Sequence, residues 1–359
     1  MIQTNESVPV LEDDELNEER LKSIENNMAT DKLANISDKD ENIDPWTHNQ
    51  SFPCWWIILA LVIGPVLLPL RVLALFLICS VSYGASRIGL TCLHTTDQPF
   101  TGWRKYVQRF VFFTVRLAGR CLGVWMVRRG DQASVEDAPV IVVAPHSTIL
   151  DWLAMGHTRS SPVAKAELSN KIFFGVLGRI IQTVWVDRNA ENSRQESARM
   201  ISKRSSEPGW PQTLIFPEGT NTNGKVLIRF RTGAFATSKP VQPVVFTFPN
   251  AVDTLTWTWI QRFKPHHLLL FTLLTPLTII HMEFLPVITP STEEEENPVM
   301  FADRVRDHIS DHLQIPTVNV SFKDAVAAKK EFKQKNFPKD VENNDQDSSD
   351  LMDNVTLGI

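Results

Sequence analysis

Hydrophobic patterning divides the chain into three regimes. Residues 1–45 show no sustained apolar periodicity, Cys54 to Tyr83 is almost unbroken apolar sequence, and from Val140 onward short apolar runs alternate with stretches of helical period. Runs rich in β-branched and aromatic residues predict strands over Val140–Ala144, Thr183–Val186, Thr213–Phe216, Pro243–Phe248 and Ile279–Leu285. Helices are predicted over Ser193–Ser206 and Pro298–Leu313, the second preceded by Glu293–Glu296, whose charge complements the positive end of a helix. This alternation predicts an α/β domain. A further apolar patch, Leu268–Ile280, is broken by Thr272, Thr275, Pro276 and Thr278. It is too short and too polar for a span and reads as a core or membrane-facing element.

The Cys54–Tyr83 run is longer than a buried core helix usually is, and Trp55-Trp56 at its start suits a membrane interface. Pro65, Pro69 and Arg71 fall in its middle. Prolines remove backbone donors and bend a helix, and an arginine in hydrocarbon must snorkel or face protein. Two arrangements fit: one kinked spanning helix, or two short helices in a re-entrant hairpin. Arg87, Arg104, Lys105, Arg109, Arg116, Arg120, Arg128 and Arg129 follow with little acid among them. The positive-inside rule then places the downstream domain on the cytosolic face. Trp103, Tyr106, Phe110, Phe112, Phe113 and Trp125, interleaved with those cations, suggest an amphipathic segment lying against an anionic surface. The expected organisation is an acidic disordered arm (1–50), a membrane segment (51–86), a basic amphipathic region (87–135), the α/β domain (136–322) and a polar tail (323–359).

Charge changes this picture in one respect. The chain's net charge of -5 hides an arm in which residues 1–50 carry 13 acidic and 4 basic side chains, so the remainder is net basic. With the cations beside an apolar run, the partner they imply is a membrane and not a nucleic acid. The acidic N-terminus lacks the basic start and apolar core of a cleavable signal peptide. Cys54, Cys79, Cys92 and Cys121 lie in or near the apolar segment without metal spacing and read as membrane or core thiols.

The candidate chemistry begins where the first predicted domain strand ends, at Pro145-His146-Ser147-Thr148-Ile149-Leu150-Asp151. Four residues separate His146 from Asp151, which lets the carboxylate fold back through one turn, fix the imidazole tautomer and leave its other nitrogen free to take a proton. Alone, the pair is equally a histidine capping a strand end. Other strand ends supply partners. Lys165 and Arg188 are fixed cations suited to a phosphate, and Phe216-Pro217-Glu218-Gly219-Thr220 offers a carboxylate, a flexible glycine and a hydroxyl, followed by Arg229 and Arg231. Parallel strand ends would gather these into one cleft.

In this order the blocks resemble the glycerolipid acyltransferase family: HxxxxD first, an arginine-containing block second, EGT third and a proline-containing strand fourth. Ala144-Pro145-His146-Ser147, Lys165-Ala166-Glu167, Trp210 to Asn223, Gly233-Ala234-Phe235, Pro240 to Val245 and Leu255 to Trp259 look like signatures of its lysophosphatidylcholine acyltransferase branch. The resemblance implies a mixed sheet flanked by helices behind a membrane anchor. It implies transfer of a fatty acyl group from acyl-CoA, as co-substrate without further cofactor, to the hydroxyl of a lysophospholipid. His146 would be the general base and Asp151 its orienting partner. Glu218, Gly219 and Thr220 would bind the acceptor, with Arg188, Lys165 and Arg231 near a phosphate. The oxyanion is expected on backbone amides near the start of the element after His146, donors that the sequence does not name.

Lysophosphatidylcholine is the expected acceptor. 1-Acylglycerol 3-phosphate, acetyl transfer to an ether lysolipid, and a catalytically silent membrane scaffold are the alternatives. The expected address is the endoplasmic reticulum membrane, with Golgi or lipid droplet as variants. The sequence departs from the branch pattern at Ser147-Thr148-Ile149-Leu150 and at Asn221 after EGT. The tail after Phe322 has no calcium loop and no metal cluster is expected.

Overall fold

Val140 to Ala144 is apolar at every position because both faces of that strand are covered. The computed structural model describes residues 43–93, 95–186 and 193–336. Its strands are β1 (Val124–Arg129), β2 (Val140–Ala144), β3 (Ser161–Lys165), β4 (Val184–Val186), β5 (Thr213–Ile215), β6 (Val241–Thr247) and β7 (Thr278–Phe284). They form one seven-stranded sheet of order β1-β7-β6-β2-β5-β3-β4. β2 to β6 run parallel, β7 is antiparallel to β6, and β1 is parallel to β7. The sheet is mixed, and five parallel strands open their C-terminal ends on one edge.

Helices cover both faces: α1 (Cys54–Gly89), α2 (Gly102–Cys121), α3 (Ala154–Thr158), α4 (Ile172–Ile180), α5 (Ser193–Ser206), α6 (Pro265–Leu274), α7 (Thr292–Glu296), α8 (Pro298–Leu313) and α9 (Phe322–Asn336). Strand alternation divides the core. Ile141 and Val143 of β2 join Phe112, Val115, Leu153 and Met282 on one side. Val140, Val142 and Ala144 join Phe235, Phe301, Val305 and Ile309 on the other.

The apolar run is one continuous 36-residue helix, with Pro65 and Pro69 inside it, in place of two short helices. It is the one helix among the described residues long and apolar enough to cross a membrane. Trp56, Gly64, Arg71, Ser82, Ser86 and Gly89 are its buried positions. The Trp56 indole donates to Thr275 Oγ1, and a Cβ at Gly64 would lie 2.6 Å from Leu274. Ser82 accepts from Thr114 at 2.9 Å, and Gly89 abuts Ile180 and Val107. Arg71 faces protein: its guanidinium donates to the carbonyls of Thr272, Leu273, Thr275 and Pro276 at the end of α6. A helix C-terminus leaves carbonyls without intrahelical partners, and five guanidinium donors suit that end. The remainder of α1 exposes Leu61, Val62, Val66, Leu70 and Phe76.

Several boundaries differ from the sequence expectation. The last residues assigned to the acidic arm belong to the domain: Trp46 is buried with Val226, Ile228, Val318 and Ala325, and Thr47 bridges to Ile260. A tryptophan that large finds more apolar surface against the domain than in a solvated arm. The 87–135 region buries Val111, Phe112 and Val115 of α2 against the sheet and supplies β1, so the sheet begins before residue 136. β1 escapes prediction because two of its six residues are arginines, and β3 because Pro162 interrupts it. Helix α9 replaces the first part of the polar tail, anchored by Ala325. The rest of the expected arm and tail lies outside the described residues.

Candidate active site

The chain leaves β2 through a cis Ala144–Pro145 peptide and presents His146 at the open edge of the parallel strands. The next residues turn back into a short 3-10 helix that starts at Asp151. That turn brings His146 Nδ1 to 2.6 Å from Asp151 Oδ2. The same oxygen accepts from the amides of Ser147 and Thr148, each at 3.1 Å. Burial pushes the Asp151 carboxyl up, against the pull of the His146 hydrogen bond and the Thr148 and Ser147 amides. With Nδ1–H donating to Asp151, the Nε2 lone pair is the free basic position. The imidazole stacks on Phe216 with ring centroids 4.4 Å apart, which fixes its plane.

Those two amides are the first donors after His146. They are committed to Asp151. Donors already orienting the carboxylate are not free to serve a developing charge.

Glu218 lies at the base of the same turn. It is fully buried, and its carboxyl accepts the His146 amide at 2.5 Å through Oε2 and the Ile228 amide at 3.4 Å through Oε1. Burial pushes it up to about 8, against the His146 and Ile228 amides, with Asp151 adding to the rise. Gly219 follows at φ 67°, and a Cβ there would lie 2.7 Å from Arg231 Cδ. The Thr220 hydroxyl accepts from the Trp259 indole at 2.6 Å, and the Thr222 amide donates to His146 O at 2.8 Å. Trp257 N donates to Ser147 O at 2.8 Å, so the 255–259 segment braces the His146 loop from the other side. The sequence marks Thr222, Trp257 and Trp259 only as members of family-like blocks; tertiary hydrogen bonds join Thr222 to His146, Trp257 to Ser147 and Trp259 to Thr220.

The basic residues are less uniform. Lys165 is buried at the C-terminal end of β3, on the same sheet edge as His146. Arg231 is exposed, its amide donating to Pro217 O at 2.8 Å and its guanidinium 5.6 Å over the Phe322 ring. Arg188 lies outside the described residues. Five buried polar atoms in this region have no hydrogen-bond partner: Ser147 Oγ, Asp151 Oδ1, Asn221 Nδ2, Thr222 Oγ1 and Thr258 Oγ1. Buried polar groups are rarely left unpaired, so a cluster of orphans beside an oriented imidazole is a place for a polar ligand. An apolar cavity of about 90 Å³ lies between α1 and the domain, lined among others by Cys79, Val115, Ala118, Trp152 and Trp185. Trp152 is the neighbour of Asp151 in sequence.

The arrangement can remove a proton from a weak acid held at Nε2 and return it later. An acyltransferase family profile matches residues 126–247, a range that runs from within β1 through β6 and holds His146, Asp151, Lys165, Glu218, Gly219, Thr220, Asn221, Thr222 and Arg231. Lysophosphatidylcholine acyltransferase 2B of Rattus norvegicus is 37% identical over 287 residues, covering 78% of this chain and 55% of that protein. Lysophosphatidylcholine acyltransferase 2 of Homo sapiens is 38% identical over 267 residues, covering 73% and 49%. The chain thus spans about half the length of these curated relatives. Among solved structures, the 1-acyl-sn-glycerophosphate acyltransferase PlsC of Thermotoga maritima superposes with a TM-score of 0.45 at 18% identity, covering 69% of this chain and 96% of that one.

Proposed function

As the chain belongs to the acyltransferase family through the domain at residues 126–247, we propose that it is a membrane-bound enzyme. It transfers a fatty acyl group from acyl-CoA to the free hydroxyl of a lysophospholipid, with lysophosphatidylcholine as the first acceptor to test. The observation that carries this reading is the His146–Asp151 pair, 2.6 Å apart and buried at the edge where the parallel strands end. His146 Nε2 takes the acceptor hydroxyl proton as the oxygen attacks the thioester carbonyl. The new C–O bond forms, the C–S bond breaks, and the thiolate leaves with the proton returned by the imidazolium. Asp151 holds the ring and stabilises its charged form. An alcohol needs this help because its pKa lies far above neutrality, whereas a thiolate leaves readily. No acyl-enzyme and no further cofactor enter these steps.

Acceptor binding is assigned to the orphaned polar groups of Ser147, Asn221 and Thr222 together with Thr220, supported by Lys165, Arg231 and Arg188. Glu218 acts beneath them, since its full burial and two amide partners suit a brace. The acyl chain is assigned to the apolar cavity beside α1, which reaches the residue after Asp151. The exposed apolar face of α1 anchors the protein, with the basic region after it on the cytosolic side and the endoplasmic reticulum as the membrane.

The test is an assay of membranes carrying the protein with labelled acyl-CoAs and a panel of lysolipids. His146→Ala is expected to lower turnover by about 10² to 10⁴, the usual worth of a general base. Equal product from both proteins would remove His146 from the mechanism. Product with lysophosphatidate and none with choline or ethanolamine lysolipids would reassign the acceptor, and no product with any acceptor would favour the silent scaffold.

A further inference from the structure

Arginines that the catalytic site leaves unused gather at the β1 edge of the sheet. Arg116 and Arg120 lie one turn apart near the end of α2, Arg128 is on β1, and Arg159 caps α3 in a left-handed conformation at φ 54°. Gly156 seats α3 against α2: a Cβ there would lie 2.9 Å from Val115 Cγ1 and 3.0 Å from Arg116 N. That close approach carries His157 and Arg159 in beside Arg116. Arg120, Arg128 and Arg159 are exposed, and Arg116 is half-buried.

Among the described residues no carboxylate forms an ion pair with any of the four. Arg120 lies 5.0 Å over the Trp125 ring and Arg128 4.6 Å over Phe284 instead. Their neighbours feel this uncompensated charge. His157 is pushed down to about 4 by burial and then by Arg116, Arg120 and Arg128. Burial, followed by Arg120, Arg159 and Arg128, lowers Arg116. Arg120, Arg159 and Arg128 each repel Arg116 with no ion-paired carboxylate among the described residues, and an external anion relieves that repulsion.

The position of the cluster identifies the anion. β1 is the edge strand, separated from β2 and its histidine by β6 and β7. The α2 face that leads to Arg116 and Arg120 exposes Trp103, Tyr106, Phe110 and Phe113 at helical spacing, by 50%, 69%, 41% and 51%. Aromatic side chains of this kind settle at the headgroup level of a bilayer, and arginines there meet lipid phosphates. We propose that Arg116, Arg120, Arg128 and Arg159 form a site for the phosphate of an anionic phospholipid headgroup, with the aromatic stripe of α2 lying in the membrane surface. The proposal rests on the membrane attachment put forward above, and the experiment keeps the two apart.

The full chain is offered two vesicle populations of different density at once, one of phosphatidylcholine and one of phosphatidylcholine with phosphatidylserine at 4:1, and its distribution is read after flotation. The wild type is expected to favour the anionic vesicles, and the preference to fall by about fivefold for each arginine replaced by glutamine at low salt. Arg120→Gln and Arg128→Gln alter exposed side chains and are read singly beside the fourfold variant, so a folding defect in the latter leaves the answer intact. Total vesicle binding is expected to stay constant, because α1 supplies it. Loss of all binding to both populations would sink the attachment reading, whereas an anionic preference unchanged by the substitutions would overturn the headgroup site. A raised KM for acyl-CoA with the preference intact would also overturn it, assigning the cluster to the nucleotide phosphates of the donor.

Discussion

Replacing Glu218 with glutamine separates a brace from an acceptor ligand. The carboxyl is fully buried, accepts two backbone amides and is raised from 4.5 to about 8. A folded-state value above the unfolded one means that the native protein keeps a proton the unfolded chain releases. Stability from this group therefore falls as pH rises from 4.5 to 8 and is flat above that. The full drop is about 5 kcal/mol at about 1.4 kcal/mol per pH unit. Glutamine does not titrate and so removes the drop, but its NH₂ must face one of the two amide donors, which costs about 1–3 kcal/mol. The two effects oppose each other, and their balance changes sign near about pH 6. Glu218→Gln is expected to melt below wild type at pH 5 and at or above it at pH 8.5, measured by thermal unfolding in detergent. In steady-state kinetics the misplaced His146 amide should lower kcat by about 10-fold to 100-fold, since displacements near 1 Å cost that much. KM for the lysolipid should hold. A raised KM with unchanged kcat would refute the reasoning, because it would mean that the carboxylate touches the acceptor.

Three other outcomes follow from the geometry. Asp151→Asn preserves the shape of the turn but lets the amide stabilise the wrong imidazole tautomer, so kcat should fall by about 10³ to 10⁴ with folding retained by circular dichroism. Gly219→Ala places a Cβ 2.7 Å from Arg231 Cδ at a φ of 67°, and should cost about 1–2 kcal/mol in thermal unfolding. Arg71→Met leaves the carbonyls of Thr272, Leu273, Thr275 and Pro276 without their donor and should destabilise the detergent-solubilised protein by about 3 kcal/mol or more. A melt equal to wild type would mean that water replaces the guanidinium.

Much of the fold was legible because burial on both faces of a sheet leaves a plain mark. All five predicted strands are present within two residues at either end, and Ser193–Ser206 and Pro298–Leu313 are helices over the predicted bounds. The elements that escaped have mixed environments. β1 is an edge strand ending in two arginines, and α2 divides its surface between the core and an exposed aromatic stripe. Arg71 looked costly in an apolar run. It is satisfied because the carbonyls it needs come from a helix some 200 residues later, which no local pattern encodes.

The site divides along the same physical line. His146 and Asp151 were legible because a single turn joins them, so spacing alone determines that they can meet. The sequence marked Glu218 as an acceptor-binding residue and gave no sign of its hydrogen bond from the amide of His146, 72 positions earlier in the chain. A backbone amide carries no sequence signature, so composition cannot distinguish a carboxylate that binds substrate from one that holds a loop. The orphaned atoms of Ser147, Asn221 and Thr222 are a stronger pointer to the acceptor than the carboxylate is. The carboxylate has both oxygens occupied, while those three retain hydrogen-bonding capacity that the protein itself does not use. Acceptor selectivity should therefore respond to substitution at Asn221, where the chain departs from its family's pattern, before it responds at Glu218.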